Sequence, residues 1–245
     1  MYKKILIISD NSFLCKKFHH IIDKKKLDCN FTFSISPFSD KDDFNLPNET
    51  DVEIFNLKNQ EDVDFIIRNY DLVFSIHCKQ IFPVDLVTAL KCVNVHPGYN
   101  PKNRGWYPQI FSIINDLPIG ATIHEIDEKL DHGHIIAREF VNKYAYDTSE
   151  SLYNRVVDKE IELLENNIES IIKDDYKKIK PESEGNLFLK KDFNELLELD
   201  LNEQISIGDF INRLRALTHG NYDNAYFIDS KTNKKVFIGV RLKSE

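Results

Sequence analysis

Three polar side chains stand in apolar surroundings in a pattern suited to acyl transfer. Asn94 and His96 lie two residues apart at the end of the run Leu90 to Val95, and Asp131 follows 35 residues later (131 − 96). Histidine, with an ordinary pKa of about 6.5, can take a proton from a nucleophile near neutral pH. An asparagine amide can donate to a carbonyl oxygen as it becomes tetrahedral, an effect worth about 3 kcal/mol. An aspartate can orient the imidazole and stabilise its charged form. No serine or cysteine stands out as a nucleophile, which points to direct transfer onto a substrate amine. The same three residues on turns can also be purely structural, and both readings are open at this level.

Other polar and aromatic groups invite the same double reading. Asp131, His132 and His134, with His124 nearby, resemble part of a zinc set, but the spacing is short and no downstream cluster completes it. The expectation is therefore no metal. The turn Ser9-Asp10-Asn11-Ser12 either caps a helix or uses the free N–H groups at a helix start to hold a phosphate. Trp106, the only tryptophan, is either packed in a core or forms a flat wall for a sugar. Tyr222, in THGNYDNAYF, either stacks on a nucleobase or is half-buried. His19-His20 reads as a surface pair on a helix, and His219 as an ordinary helix-end residue.

To bring Asn94 and His96 to one site the chain needs a buried strand. The apolar run Leu90 to Val95 supplies it, entering a stiff loop that holds Pro97, Gly98, Pro101, Gly105 and Pro108. The gap to Asp131 has room for one helix (Gln109 to Asn115) and one strand (Ala121 to Ile126). Upstream, Lys4 to Ser9, Phe31 to Ser36, Asp51 to Asn56 and Asp71 to His77 read as strands. Helical pieces between them include Gln60 to Asn69, and Val84 to Lys91 follows the last, while Lys41 to Thr50 reads as a charged loop. This alternation predicts an α/β fold with a doubly wound, mostly parallel sheet.

Downstream, His134 to Val141 reads as a strand. Thr148 caps an amphipathic helix from Ser149 to about Lys173. The charged stretch Asp174 to Glu184 marks a boundary between a main domain, 1–178, and a small α+β tail, 179–245. The tail reads as a strand (Asn186 to Lys190), a helix capped at Ser206 (Ile207 to Leu217) and a hairpin (Ala225 to Ile228 with Val236 to Leu242).

With 245 residues, 42% of them hydrophobic, the chain can bury a full core. Its net charge of −8 argues against a nucleic-acid backbone as partner. Four cysteines without CxxC spacing read as free thiols of a reducing cytosol. The apolar run near the start is too short for a signal peptide, and none approaches the ~18 residues of a membrane span. GxGxxG and P-loop patterns are absent.

Taken together, NVHPGYNPKNRGWYPQ and ATIHEIDEKLDHGHIIA resemble the folate-dependent formyltransferases, with their Asn-x-His and the later Asp-x-Gly-x-Ile-Ile. Those positions here are Asn94, His96, Asp131, Gly133, Ile135 and Ile136. HCKQIFP upstream and RALTHGNYDNAYF downstream are similar to sugar N-formyltransferases acting on dTDP-linked amino-dideoxyhexoses. The purine and tRNA branches carry serine and two leucines after the His-Pro, where this chain has Gly98, Tyr99 and Asn100.

The resemblance implies a formyltransferase/Rossmann-like fold and a co-substrate, N10-formyltetrahydrofolate, held by Lys79, Gln80, Ile81, Phe82 and Asp131. It implies sugar-nucleotide contacts from Ser9, Asn11, Ser12, Lys79, Trp106 and Tyr222, with catalysis by Asn94, His96 and Asp131. The implied acceptor is dTDP-4-amino-4,6-dideoxyglucose, with a 3-amino isomer as rival, for a surface glycan of the O-antigen (lipopolysaccharide) type. A cytoplasmic homodimer without metal, membrane or nucleic-acid partner completes the expectation. A catalytically silent sugar-nucleotide or folate binding module is the alternative from another class.

Overall fold

Four uninterrupted apolar residues, Ile5 to Ile8, and the Ser9 that ends strand β1 (Lys4–Ser9) are solvent-free because both faces of the strand are covered, as a central parallel strand requires. The computed structural model describes residues 1–47 and 50–245. Helix α1 (Ser12–Lys25) follows β1, capped by Asn11, whose side chain accepts from Leu14 N. β2 (Asn30–Ile35), β3 (Val52–Ile54), α2 (Gln60–Asn69), β4 (Leu72–Ile76), α3 (Val84–Ala89) and β5 (Lys91–His96) complete the parallel part. After a loop come α4 (Pro108–Ile114) and the antiparallel strands β7 (Ile119–Glu125) and β8 (Ile135–Val141), with the two-residue strand β6 (Arg104–Gly105) inside that loop. The seven-stranded sheet runs β3-β2-β1-β4-β5-β7-β8, parallel up to β5.

The long helix α5 (Ser149–Ile172) lies across the sheet, with Leu152, Val156, Leu163, Leu164, Ile168 and Ile171 buried. Thr148 and Ser151 form a reciprocal capping box at its start. Ile5, Ile7, Phe18, Phe74 and Val93 form a core on the α1–α5 side, while Leu6, Ile8, Val73 and Leu86 form one on the other. The tail holds β9 (Leu187–Phe188), α6 (Lys190–Asn194), α7 (Ile207–Leu217), β10 (Ala225–Ile228) and β11 (Lys235–Ile238). α7 and Phe193 share a third core with α4 and the start of α5.

Several boundaries differ from expectation. Lys91 opens β5 because it is paired with Leu72 across the sheet and with Glu125 by its ammonium. The expected strand 186–190 shrinks to two residues, since Asp192 accepts from Leu189 N and starts α6. β6 had no sequence signal, being two residues long. His19 is buried against Phe33, not on the surface, with Nε2 facing the Thr50 hydroxyl. The expected loop Lys41 to Thr50 opens with a 3₁₀ turn, and Asn48 and Glu49 within it lie outside the described residues.

Candidate active site

β5 lies between β4 and β7, so the i, i+2 pair Asn94 and His96 projects from one face at its carboxyl end. β7 places His124 opposite Asn94 and Thr122 opposite His96. Asp131 stands in the turn before β8, in the left-handed region at φ 47°. Its Oδ1 accepts from Asn94 Nδ2 at 3.0 Å and its Oδ2 from the Gly105 N–H at 2.9 Å. His96 Nδ1 is 3.6 Å from Oδ2, and His124 Nε2 is 3.4 Å from Oδ1. The structure thus unites the three expected residues and adds a second histidine. Burial alone would push the Asp131 carboxyl up, but His96, His124 and the Gly105 N–H outweigh it and hold the group far below the usual range. His96 is lowered by its own burial, against the opposing pull of Asp131.

Hydrogen bonds assign the tautomers. His96 Nε2 lies 2.8 Å from the Asn103 carbonyl oxygen, which only accepts, so Nε2 carries the proton and Nδ1 is the basic nitrogen facing Asp131. Gly98 makes this possible, since a Cβ there would stand 2.5 Å from both His96 Nε2 and Asn103 O. His124 Nδ1 donates to Glu125 O at 2.6 Å, leaving Nε2 to accept from Asn94 Nδ2 at 3.2 Å. Both amide hydrogens of Asn94 are therefore committed in the resting site. Donation to an oxyanion requires exchange of one of these bonds.

The centre opens into a cavity of about 840 Å³. One wall is the segment Cys78 to Phe82, which carries Lys79, Gln80 and Ile81; another is Asp127 to Leu130. Farther along stand Trp106, Tyr153, His219 and Tyr222. Trp106 is 37% exposed and Tyr222 74% exposed, so neither is ordinary core packing. Burial pushes the Cys78 thiol up to about 12, which leaves no thiolate nucleophile at this wall.

The turn at Ser9, Asn11 and Ser12 is not among the residues that line the cavity. Ser9 is buried and bonded to Asn11, and the Asn11 side chain caps α1 and donates to the Tyr153 hydroxyl. Asp10 beside it accepts from Ser36, Ser39 and the Lys79 N–H. His132 is bonded to Asp127 and His134 faces Glu125, so the DHGH residues diverge. Among the described residues no group of three or more His, Cys, Asp or Glu could hold a metal.

His124, Tyr153, His219 and His77 were missed as site residues. His77, at φ 52° after β4, presents Nε2 to both oxygens of the fully buried Glu160 at 2.9 and 3.0 Å, and faces the Tyr153 hydroxyl through Nδ1. Only the alternation of Thr122 and His124 on β7 could have flagged His124; the others lie far apart in the chain.

Comparison with known proteins identifies the family. Residues 3–168 match the Formyl transferase family model, and residues 192–244 match the N-formyltransferase dimerization C-terminal domain. Over 180 residues the chain is 52% identical to a dTDP-4-amino-4,6-dideoxyglucose formyltransferase of Mycobacterium bovis, covering 74% of this chain and 76% of that protein. The crystal structure of a 4-N formyltransferase from Francisella tularensis superposes with a TM-score of 0.93 at 40% identity, covering 99% of each chain. A Shewanella sugar N-formyltransferase gives 0.92 at 34% identity, again over 99% of each. The family match over most of the chain, with Asn94, His96 and Asp131 converging in the wall of one cavity, makes this chain a member of the formyl transferase family.

Proposed function

We propose that this N-formyltransferase moves the formyl group of N10-formyltetrahydrofolate onto the 4-amino group of dTDP-4-amino-4,6-dideoxyglucose. The observation that carries this reading is the Asn94–His96–Asp131 centre in the wall of one cavity, in a chain 52% identical over 180 residues to an enzyme so named. The amine attacks the formyl carbon, a C–N bond forms, and the bond to N10 breaks. His96 Nδ1 takes the amine proton, Asp131 stabilises the imidazolium, and the proton passes to N10. The oxygen's developing charge is met by that imidazolium and by Asn94 once one of its bonds is exchanged.

Phe82, Ile126 and Leu130 beside the carboxylates of Asp127 and Glu128 suit a flat pterin with amine edges, and Lys79, Gln80 and Ile81 extend that wall. At the other end Trp106 borders the hexose and Tyr222 stacks on the thymine. Lys79, Tyr153 and His219 present donors to the diphosphate. Asn11 acts there only through Tyr153, and Ser9 and Ser12 support the turn.

We assign residues 1–178 to the catalytic unit and 179–245 to a unit carrying sugar-nucleotide and subunit contacts. The dimerization-domain match and the exposed Ile207, Phe210, Ile211 and Phe237 support a homodimer. No helix among the described residues is long and apolar enough to cross a membrane. A cytoplasmic enzyme supplying formamido sugars for lipopolysaccharide O-antigen accords with the substrates. Mass spectrometry of reactions with N10-formyltetrahydrofolate and a panel of dTDP-3-amino and dTDP-4-amino dideoxyhexoses tests the reading. Preference for the 4-amino glucose isomer is expected; preference for a 3-amino sugar reassigns the acceptor, and dTDP binding without transfer leaves a binding module.

A further inference from the structure

The charged stretch expected to mark a domain boundary is tied by its last residues to the catalytic loop. Ile179 exchanges two backbone hydrogen bonds with Ile135, the first residue of β8. Beyond it, Asn186 N donates to Pro101 O, Arg104 N to Asn186 O and Trp106 N to Phe188 O, at 2.8 to 3.0 Å. These bonds pair β9 with β6, Arg104 opposite Leu187 and Gly105 opposite Phe188. Phe188 is anchored from below by stacking on Phe111 of α4, with ring centroids 4.1 Å apart.

The inner side of β6 faces the reacting centre. While β9 holds its outer edge, the Gly105 N–H points inward and donates to Asp131 Oδ2 at 2.9 Å. Gly105 sits at φ 90°, and a Cβ there would lie well inside van der Waals contact with Phe188 O, so only glycine permits both the conformation and the approach. The adjacent Arg104 is buried and reaches both partners: Nε donates to Leu130 O, next to Asp131, and Nη1 to Glu184 O at 2.6 Å. Outside, the Glu184 carboxylate gathers Arg104, Lys129 and His132 at 3.4 to 3.6 Å. Lys129 and His132 flank Asp131 in sequence, so this exposed carboxylate ties the segment to both ends of the Asp131 turn.

We propose that the segment from Ile179 to Phe188 is the outer wall of the active site, and that Gly105 and Glu184 are positioning residues that hold the Asp131 carboxylate at His96. The inference rests on the catalytic role given to Asp131. It joins the seating of the C-terminal unit to the alignment of the centre, because β9 leads directly into α6.

The test compares kcat, the Kd for dTDP and for tetrahydrofolate, and hydrogen exchange of the Gly105 amide in Gly105→Ala, Glu184→Gln and Asp131→Asn. Gly105→Ala lowers kcat about tenfold to a hundredfold, the scale of a misplacement near 1 Å. Glu184 is not among the residues that line the cavity; Glu184→Gln lowers kcat about threefold or more, leaves both Kd values unchanged and speeds Gly105 exchange. Combined with Asp131→Asn, Glu184→Gln causes no further loss of the residual turnover, because both act through one carboxylate. Full kcat in Glu184→Gln, or an equal loss in the Asp131→Asn background, overturns the positioning role even if Gly105→Ala fails to fold. Full turnover in Asp131→Asn alone overturns the catalytic reading, and this inference with it.

Discussion

His96 and Asn103 stand in a fixed relationship: the imidazole Nε2 lies 2.8 Å from the Asn103 main-chain oxygen, with Gly98 packed against both. A carbonyl cannot donate, so the contact places the proton of the neutral ring on Nε2 and leaves Nδ1 as the base. In ¹⁵N-histidine spectra of the ligand-free enzyme above neutral pH, His96 is expected to show a protonated Nε2 and an unprotonated Nδ1; the reverse tautomer would reject the assignment. Gly98→Ala should lower kcat by about a hundredfold, since the added methyl displaces the ring from productive geometry. Tetrahydrofolate affinity, measured by calorimetry, should change far less.

The pH dependence of turnover follows from the same ring. Burial lowers the pKa of His96, so the neutral base persists to lower pH than for an exposed histidine. The acid limb of kcat/KM should fall below about 6.5, with activity lost as pH drops through that depressed value. An acid limb above 6.5 in the pH–rate profile would contradict it.

Glu125 offers a stability test separate from catalysis. Burial would push its carboxyl up, but Lys178, Lys91 and Tyr176 donate to it at 2.6 to 2.8 Å and bring it down to about 2. A folded pKa below the unfolded one means stability that is present above about 4.5 and is lost as pH falls from there towards 2. Glu125→Gln should destabilise the protein by about 1–3 kcal/mol at pH 7. In urea melts the gap to the unmodified protein should shrink steadily below about pH 4.5. A gap independent of pH would show that packing, not charge, is what the substitution removes.

Trp106 is the only tryptophan and stands at the cavity wall, 5.7 Å from the Lys190 ammonium. Its fluorescence should therefore report ligand entry directly. Addition of dTDP should change the emission, and Tyr222→Ala should weaken dTDP binding by about 1–3 kcal/mol, the worth of one base stack. Unchanged affinity in Tyr222→Ala would place the nucleobase elsewhere.

The exposed face of α7 supplies the test of assembly. Ile207 is 80% exposed, with Phe210 and Ile211 on the same helix. Ile207→Asp should shift the protein from dimer to monomer in sedimentation velocity if this face is covered by a second copy. A dimer that survives the charge would move the interface to the hairpin β10–β11.

The residue order alone determined the alternation of strand and helix in the first 96 residues, and with it the doubly wound sheet. Continuous apolar runs such as ILII in β1 and capping residues such as Asn11 and Thr148 are local signals, needing no knowledge of distant partners. The two motifs around His96 and Asp131 were also legible, because the chemistry demands those side chains at the end of one strand and in one turn. Tertiary structure alone decided the rest. His124 joins the centre through the β5–β7 register, and Asp10 in the turn after β1 is tied to the Lys79 N–H across the sheet edge. The 179–188 segment packs on the catalytic loop because β9 pairs with a two-residue strand too short to leave a periodicity. Such contacts join residues tens of positions apart through single hydrogen bonds, and a linear pattern holds no record of a bond whose two ends are separately unremarkable.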